Sequence, residues 1–104
     1  MASHAEGLYT LAAGKYSHAE GNSTVAAYAA HAEGGSSKAL ALYSHAEGSK
    51  TIASGAGSHA EGQLSQSIGR DSHAEGHETK AYGIGSHSEG NYTEATKDGA
   101  HSEG

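Results

Sequence analysis

The feature that most constrains the fold is a five-residue motif that returns eight times in 104 residues. The motif Ser-His-Ala-Glu-Gly and its near-copies start at residues 3, 17, 30, 44, 58, 72, 86 and 100. Six of the seven intervals are 14 residues long, and the interval from 17 to 30 is 13. A fixed period this short indicates a solenoid, in which each repeat is one coil that packs against its neighbours. We therefore predict one repeat module over residues 1–104, with a coil beginning at each motif.

Small residues alternate within each coil when the first motif residue is counted as position 1. Positions 1, 3 and 5 are Ser, Ala or Gly, and positions 8, 10 and 12 are again mostly small, with Tyr28 and Lys97 as departures at position 12. A period of two predicts strands, so each coil carries two short strands that face one narrow interior. Coils pairing at ~4.8 Å would give a rod of roughly 35 Å. The predicted fold is an all-β parallel β-roll, with one turn residue lost from the short coil 17–29.

Branched aliphatic residues are scarce in this chain. There are five Leu, three Ile and one Val, with no Phe or Trp. Nine such side chains cannot form an ordinary globular core, because small domains are already marginal in the area that they bury. We therefore expect part of the surface to be buried by oligomerisation.

Charge and composition argue against several classes of protein. The formal net charge is −6 and the six Lys and Arg residues are scattered, which argues against nucleic-acid binding. No apolar stretch approaches the ~20 residues needed to span a bilayer, so we expect no membrane insertion in this segment. The N-terminal sequence lacks the apolar region of a signal peptide. The absence of cysteine leaves no thiolate metal site.

The His and Glu of the motif occupy positions 2 and 4, so they face away from the small interior. They are identical in all eight copies, whereas position 9 on the other outer face varies as Leu11, Val25, Lys38, Ile52, Gln66, Lys80 and Glu94. One outer face is therefore uniform and the other is variable. The uniform face is the better candidate for a contact surface.

The repeat, read as Gly-x-x-Ser/Thr-x-Ala-x-Gly-x-x-Ser-x-Ala-x-Gly, resembles the head repeat of YadA-like trimeric autotransporter adhesins. Its Ser-His-Ala-Glu-Gly variant is similar to repeats in phage tail-fibre proteins. The resemblance covers residues 3–104 and implies a left-handed parallel β-roll assembled as a homotrimer. It also implies an extracellular, cell-surface or virion-fibre location. In the usual head motif, Val and Ile stand where His4 and Glu6 stand here and face the chain-to-chain interface, so polar pairing must replace apolar contact in this chain.

With that geometry, the eight His and eight Glu form an inter-chain ladder in which each carboxylate has an imidazole partner. We predict that this ladder holds the chains together, and its members are His4, Glu6, His18, Glu20, His31, Glu33, His45, Glu47, His59, Glu61, His73, Glu75, His87, Glu89, His101 and Glu103. The ninth histidine, His77, lies outside the ladder and is expected at a solvated turn. If the carboxylates raise the pKa values of their His partners, stability should fall on both sides of mildly acidic pH.

Metal binding is an alternative use of the same residues. Imidazole and carboxylate are zinc ligands, and three His from three chains could form a facial set. The candidate ligands are His4, His18, His31, His45, His59, His73, His87 and His101. Identical neighbouring layers would place like-charged ions close together, so we expect neither a dedicated metal nor any other cofactor.

The remaining alternatives concern activity and partners. The motif serines alternate with His along a strand and must face the opposite side, which excludes a Ser-His dyad within one motif and argues against an enzyme. The variable outer face and the tyrosines at turns could contact a host surface protein, matrix or glycan. Exposed strand edges at the ends of a solenoid could also pair head to tail and give filaments.

Overall fold

The computed structural model of the protein describes residues 2–104, and Met1 of the predicted module lies outside this range. Each coil contains a strand over positions 2–6 and a second strand over positions 9–10. The longer strands are β1 (His4–Leu8), β3 (His18–Asn22), β5 (His31–Gly35), β7 (His45–Ser49), β9 (His59–Gln63), β11 (His73–His77), β13 (His87–Asn91) and β15 (His101–Glu103). The shorter ones are β2 (Leu11–Ala12), β4 (Val25–Ala26), β6 (Lys38–Ala39), β8 (Ile52–Ala53), β10 (Gln66–Ser67), β12 (Lys80–Ala81) and β14 (Glu94–Ala95).

The odd-numbered strands form one eight-stranded sheet and the even-numbered strands form a seven-stranded sheet. We call them the long sheet and the short sheet. Every neighbouring pair is parallel and in motif register, so that His45 lies beside His59 and Glu47 beside Glu61. The chain is therefore an all-β parallel β-solenoid of about seven coils, and it measures 37 × 21 × 10 Å. The predicted all-β parallel roll of 14-residue coils and its rod length are confirmed. Residues 2–104 contain no helix of the length and apolarity that a membrane span requires.

The interior between the two sheets is built from Ala, Ser and Thr. Ala46 and Ala60 of the long sheet and Ala53 of the short sheet have no exposed surface, and Thr51 and Thr79 are equally buried. Hydroxyl groups in this interior bond from coil to coil, as where Thr51 Oγ1 donates to Ser37 Oγ over 3.1 Å. Small side chains permit the two sheets to approach closely, and most of the buried hydroxyls are tolerated because they find partners, Thr24 and Ser58 being exceptions. The predicted inward direction of position 8 is confirmed.

Glycine at position 5 is imposed by the stacking of coils. Gly48 and Gly62 have φ values of 111° and 103°, a region that L-residues rarely adopt. A Cβ atom on Gly48 would also overlap the carbonyl oxygen of Gly62 in the next coil. The same relation links every position-5 glycine to the next one along the rod, so this column fixes the spacing beside the ladder.

Each coil closes through residues in the left-handed region at positions 7 and 14, and most of them are not glycine. Lys50 and Leu64, for example, have φ values of 58° and 60° at position 7. The short coil lacks the residue at position 12. The 13-residue interval predicted the loss of one turn residue but not which one. Ala29 accordingly takes the left-handed position 14, with a φ of 52°. The assignment of Tyr28 to position 12 is therefore wrong, because Tyr28 falls at position 13.

Large apolar side chains are absent from the interior of residues 2–104. Leu40, Ile68 and Tyr82 are 36–46% exposed on the outer face of the short sheet, and Leu42 and Ile84 are 43% and 48% exposed on the adjoining turn. The single chain thus builds its core without its aliphatic residues. These residues make the outer face of the short sheet partly apolar rather than simply polar.

Candidate functional site: the histidine–glutamate ladder

The His and Glu side chains of the motif form two parallel columns on the outer face of the long sheet. In-register pairing places His on His and Glu on Glu at each step, as for His73 beside His87 and Glu75 beside Glu89. Alternation along the strand directs the intervening Ala or Ser inward, where Ala74 and Ser88 are fully buried. The predicted outward direction is confirmed for all eight motifs, and we call these two columns the ladder.

The imidazole rings stack in a nearly continuous column. From His18 to His101, neighbouring ring centroids are 4.6–4.8 Å apart and the interplanar angles are 15° or less. At the first step, His4 and His18 are tilted by 45°. The spacing equals that of paired strands, so the backbone sets the stacking. Sequence alternation predicted a shared face but gave no signal for ring orientation.

The imidazoles of His59, His73 and His87 each lie between two carboxylates of their own chain. His59 Nε2 is 3.7 Å from Glu47 Oε1 in the preceding coil and 3.9 Å from Glu61 Oε2 in its own coil. His87 repeats this arrangement at 3.5 Å and 3.8 Å, with Glu75 and Glu89. These separations exceed the 2.7–3.2 Å of ordinary N–H···O bonds. The contacts are therefore electrostatic within one chain and leave hydrogen-bonding capacity unused.

The Nε2 atoms of the inner rings are buried although the side chains are not. The side chains of His45 and His59 are 35% and 34% exposed. Their Nε2 atoms are nevertheless almost completely inaccessible to solvent and have no hydrogen-bond partner. The same holds for His18, His31, His73 and His87. Buried polar atoms normally have a partner, so this column of unpartnered nitrogens needs an explanation.

The described ladder glutamates form no ion pair with Lys or Arg. Within residues 2–104, the one ion pair between a carboxylate and such a side chain joins Arg70 to Asp71, both exposed and away from the ladder. The ladder glutamates, which repeat once per coil, therefore have imidazole as the one basic group within ion-pair distance. Like charges at this spacing repel, so the face favours cations from solution.

The pKa values of His31, His45 and His59 are lowered below their ordinary value of 6.5. Burial is the largest cause, the neighbouring imidazole acts in the same direction, and the glutamates oppose both. The expectation of raised pKa values is wrong for these three residues. Desolvation and the like-charged neighbour outweigh carboxylates that lie beyond hydrogen-bonding distance. The lowered pKa values favour the uncharged form of these three imidazoles at neutral pH, and this is the form that can act as a ligand.

A shallow groove of about 810 Å³ follows the glutamate column. It runs from Glu6 and Gly7 to Glu61 and Gly62 and is lined by the Glu-Gly pair of each successive coil. The glycines leave room beside the carboxylates because they carry no side chain. The groove makes the carboxylates accessible from solution along much of the rod.

The motif serines and His77 occupy different surroundings from the ladder. Ser44, Ser72 and Ser86 are at most 2% exposed inside the roll, and Ser86 Oγ donates to Gly83 O over 2.7 Å. Serine and histidine of one motif thus lie on opposite faces, as predicted. His77 lies at the end of β11 rather than in a turn, and its Nδ1 is 3.1 Å from Asn91 Oδ1.

From His18 to His87, histidine and glutamate of adjacent coils form five overlapping three-residue groups whose ligand atoms lie within 4.8 Å of one another. Three of these groups share no residue: His18–Glu20–His31, His45–Glu47–His59 and His73–Glu75–His87. The sequence pointed to the histidines as metal ligands supplied by three chains. Within one chain the structure instead combines two histidines with the glutamate between them.

The fold and the ladder together define a structural repeat module of the β-solenoid class. No protein-family model matches the sequence, and comparison with curated proteins gives no significant match. The resemblance to YadA-like head repeats therefore rests on the residues of the repeat itself.

Proposed function

We propose that the protein is a rigid rod module of a trimeric surface adhesin or phage fibre, assembled as a left-handed β-roll. Three chains associate through their ladders, and the opposite face of each chain is presented outward. The observation that carries this proposal is the contrast between a uniform His/Glu face and a variable face on one 37 Å rod. A surface that must meet identical copies at every coil has to repeat, whereas a solvated or partner-specific surface is free to vary.

The surroundings of the ladder support an inter-chain role. Its inner side chains remain 32–41% exposed in the single chain, so a large polar surface is available for contact. Glutamates with no Lys or Arg partner gain most from imidazole N–H donors of a neighbouring chain, since charge-assisted hydrogen bonds are the stronger kind.

The oligomeric state tests the assembly part of the proposal. The untagged chain is passed over a sizing column with light scattering at neutral pH in chelator. We expect three times the chain mass of 10.4 kDa. The double variant Glu47→Gln/Glu61→Gln should dissociate to lower mass, while Glu94→Gln, an exposed glutamate on the short sheet, should remain trimeric. A folded monomer of the unmodified chain would refute the trimer.

The outer face of the short sheet is proposed to contact a host surface protein, matrix or glycan. Leu40, Ile68 and Tyr82 give it the apolar and aromatic surface that binding sites favour. Glycan-array and matrix-binding assays of the assembled rod test this role. A hit that is lost in Tyr82→Ser but kept in Glu94→Gln supports adhesion, and no binding to either panel favours a spacer.

Filament formation is a second proposal, favoured by the strand edges. Strands β1 and β15 each pair on one side within the described chain, and unpaired edges can accept another copy. Electron micrographs at high protein concentration test it. Long rods of uniform width support head-to-tail pairing, and short discrete particles contradict it.

A further inference from the structure

We infer that the ladder of a single chain binds divalent zinc at alternate coil junctions, each ion held by two histidines and the glutamate between them. The proposed sites are the three groups that share no residue: His18–Glu20–His31, His45–Glu47–His59 and His73–Glu75–His87. This inference goes beyond the rod function and does not depend on it, because one chain supplies every ligand.

The first argument is the identity and availability of the ligand atoms. Two imidazoles and one carboxylate with an open fourth position are an established zinc ligand set. The Nε2 atoms of the histidines in the three groups are buried, unpartnered and directed towards carboxylates. In a neutral ring, Nε2 is free to carry a lone pair when Nδ1 holds the proton. A cation between Nε2 and the carboxylate would satisfy both atoms at once.

The second argument is distance. Tetrahedral zinc with bonds of about 2.0–2.2 Å places neighbouring ligand atoms roughly 3.4 Å apart. In the central group, Glu47 Oε2 is 3.8 Å from His45 Nε2 and Glu47 Oε1 is 3.7 Å from His59 Nε2. The two oxygens of Glu47 face different rings, and each needs to approach its own histidine by a few tenths of an ångström. The two rings need a larger change, because their centroids are 4.6 Å apart and their planes must tilt out of the stack to aim at one ion.

The third argument is charge, and it also sets the stoichiometry. Neighbouring groups share a histidine, as His31 belongs to both His18–Glu20–His31 and His31–Glu33–His45. Filling every junction would therefore require shared ligands and would place doubly charged ions one coil apart. Alternate filling doubles the ion spacing and halves the Coulomb repulsion. Three ions per chain are therefore expected. Each ion would contact a carboxylate that has no Lys or Arg partner.

The test uses the untagged full chain after chelator treatment, with Zn²⁺ as the probe and native mass spectrometry and calorimetry as readouts. We expect three ions per chain, and visible absorption typical of tetrahedral geometry when Co²⁺ replaces Zn²⁺. The triple variant His31→Gln/His59→Gln/His87→Gln removes a ligand from each group and should bind none. His77→Gln is the matched control, because it removes a histidine outside the ladder, and it should bind three.

The carboxylates are tested separately, in case the triple histidine variant does not fold. The variant in which Glu20, Glu33, Glu47, Glu61, Glu75 and Glu89 are all changed to Gln removes the carboxylate in either register and should lose zinc binding, while Glu94→Gln should retain it. Circular dichroism shows which variants are folded. Uptake of fewer than two ions by the unmodified chain, or equal uptake by a folded ladder variant and its control, overturns the inference. Mass in solution with and without chelator keeps the two proposals apart, since a metal-free trimer and a zinc-bound monomer are distinguishable results.

Discussion

The two outer faces of the rod are built on the same backbone repeat but obey different rules. On the long sheet, every coil presents one His and one Glu in register, with rings such as His45 and His59 stacked 4.6 Å apart. On the short sheet, the same stacking carries residues as different as Ile52, Gln66 and Lys80. The backbone therefore does not demand uniformity, because the short sheet stacks without it. Uniformity on the long sheet is what we expect if this face meets identical chains, as proposed above.

The largest expected effect concerns the glycine column beside the ladder. Gly62→Ala should lower the free energy of unfolding by about 3 kcal/mol or more, because the new methyl group meets the next coil in a backbone region that alanine avoids. Gly35→Ala is the control, since nothing lies within 4 Å of its Cβ position. Urea denaturation followed by circular dichroism gives both values. Equal losses would mean that the column does not set coil spacing.

A smaller effect is expected between the sheets. Ala60→Val should cost about 1–3 kcal/mol, because a fully buried position in a narrow interior has no room for two more methyl groups. Ala13→Val, at an exposed position after β2, should change stability by less than about 0.5 kcal/mol. The same denaturation experiment compares them. A tolerated valine at position 60 would show that the sheets can separate.

The pH dependence follows from the lowered pKa values of His31, His45 and His59. Below 6.5 the unfolded chain binds protons that the folded chain resists, so stability should fall as the pH is lowered from 7.5 to 5. Melting temperatures of the metal-free chain across this range measure the effect. His31→Gln/His45→Gln/His59→Gln should flatten the profile and His77→Gln should not. A chain that is more stable at pH 5 than at pH 7.5 would contradict the direction.

The smallest effect is expected on the variable face. Ile68→Gln should change the free energy of unfolding by less than about 0.5 kcal/mol, because Ile68 is 36% exposed outside the core. A buried aliphatic residue truncated to alanine typically costs 2–5 kcal/mol. Thermal melting in dilute solution makes the comparison. A loss of stability as large as that of a core truncation would show that assembly buries this face too.

The sequence predicts most of this fold because its period and its alternation are both explicit. Eight motifs give the coil boundaries, and small residues at alternate positions give the strands and their inward face. The sequence does not predict the left-handed turns at Lys50 and Leu64, because the residues at this position differ from coil to coil and are not glycine. The register of the short coil was misplaced by one residue at Tyr28, because a deletion inside a turn leaves no mark on the flanking strands.

The sequence predicts which residues share the ladder face, but it does not predict their ring stacking, distances or pKa shifts. Outward direction follows from alternation, whereas ring stacking and the distances to carboxylates depend on side-chain rotamers. The direction of the pKa shift at His45 was wrong because the sequence shows the neighbouring glutamate but not the burial or the stacked imidazole. The groups of two histidines and one glutamate also need three-dimensional distances, since their members come from adjacent coils.

The central claim, that the ladder face is covered by other chains while the rest stays open, is tested most directly by histidine C2-hydrogen exchange in metal-free buffer. In one chain, His45 and His77 are almost equally exposed, at 35% and 39% of the side chain. Mass spectrometry of peptides reads each rate above the pH range in which the imidazoles titrate. The account predicts slow exchange at His45 and fast exchange at His77. Equal rates at both histidines would contradict it.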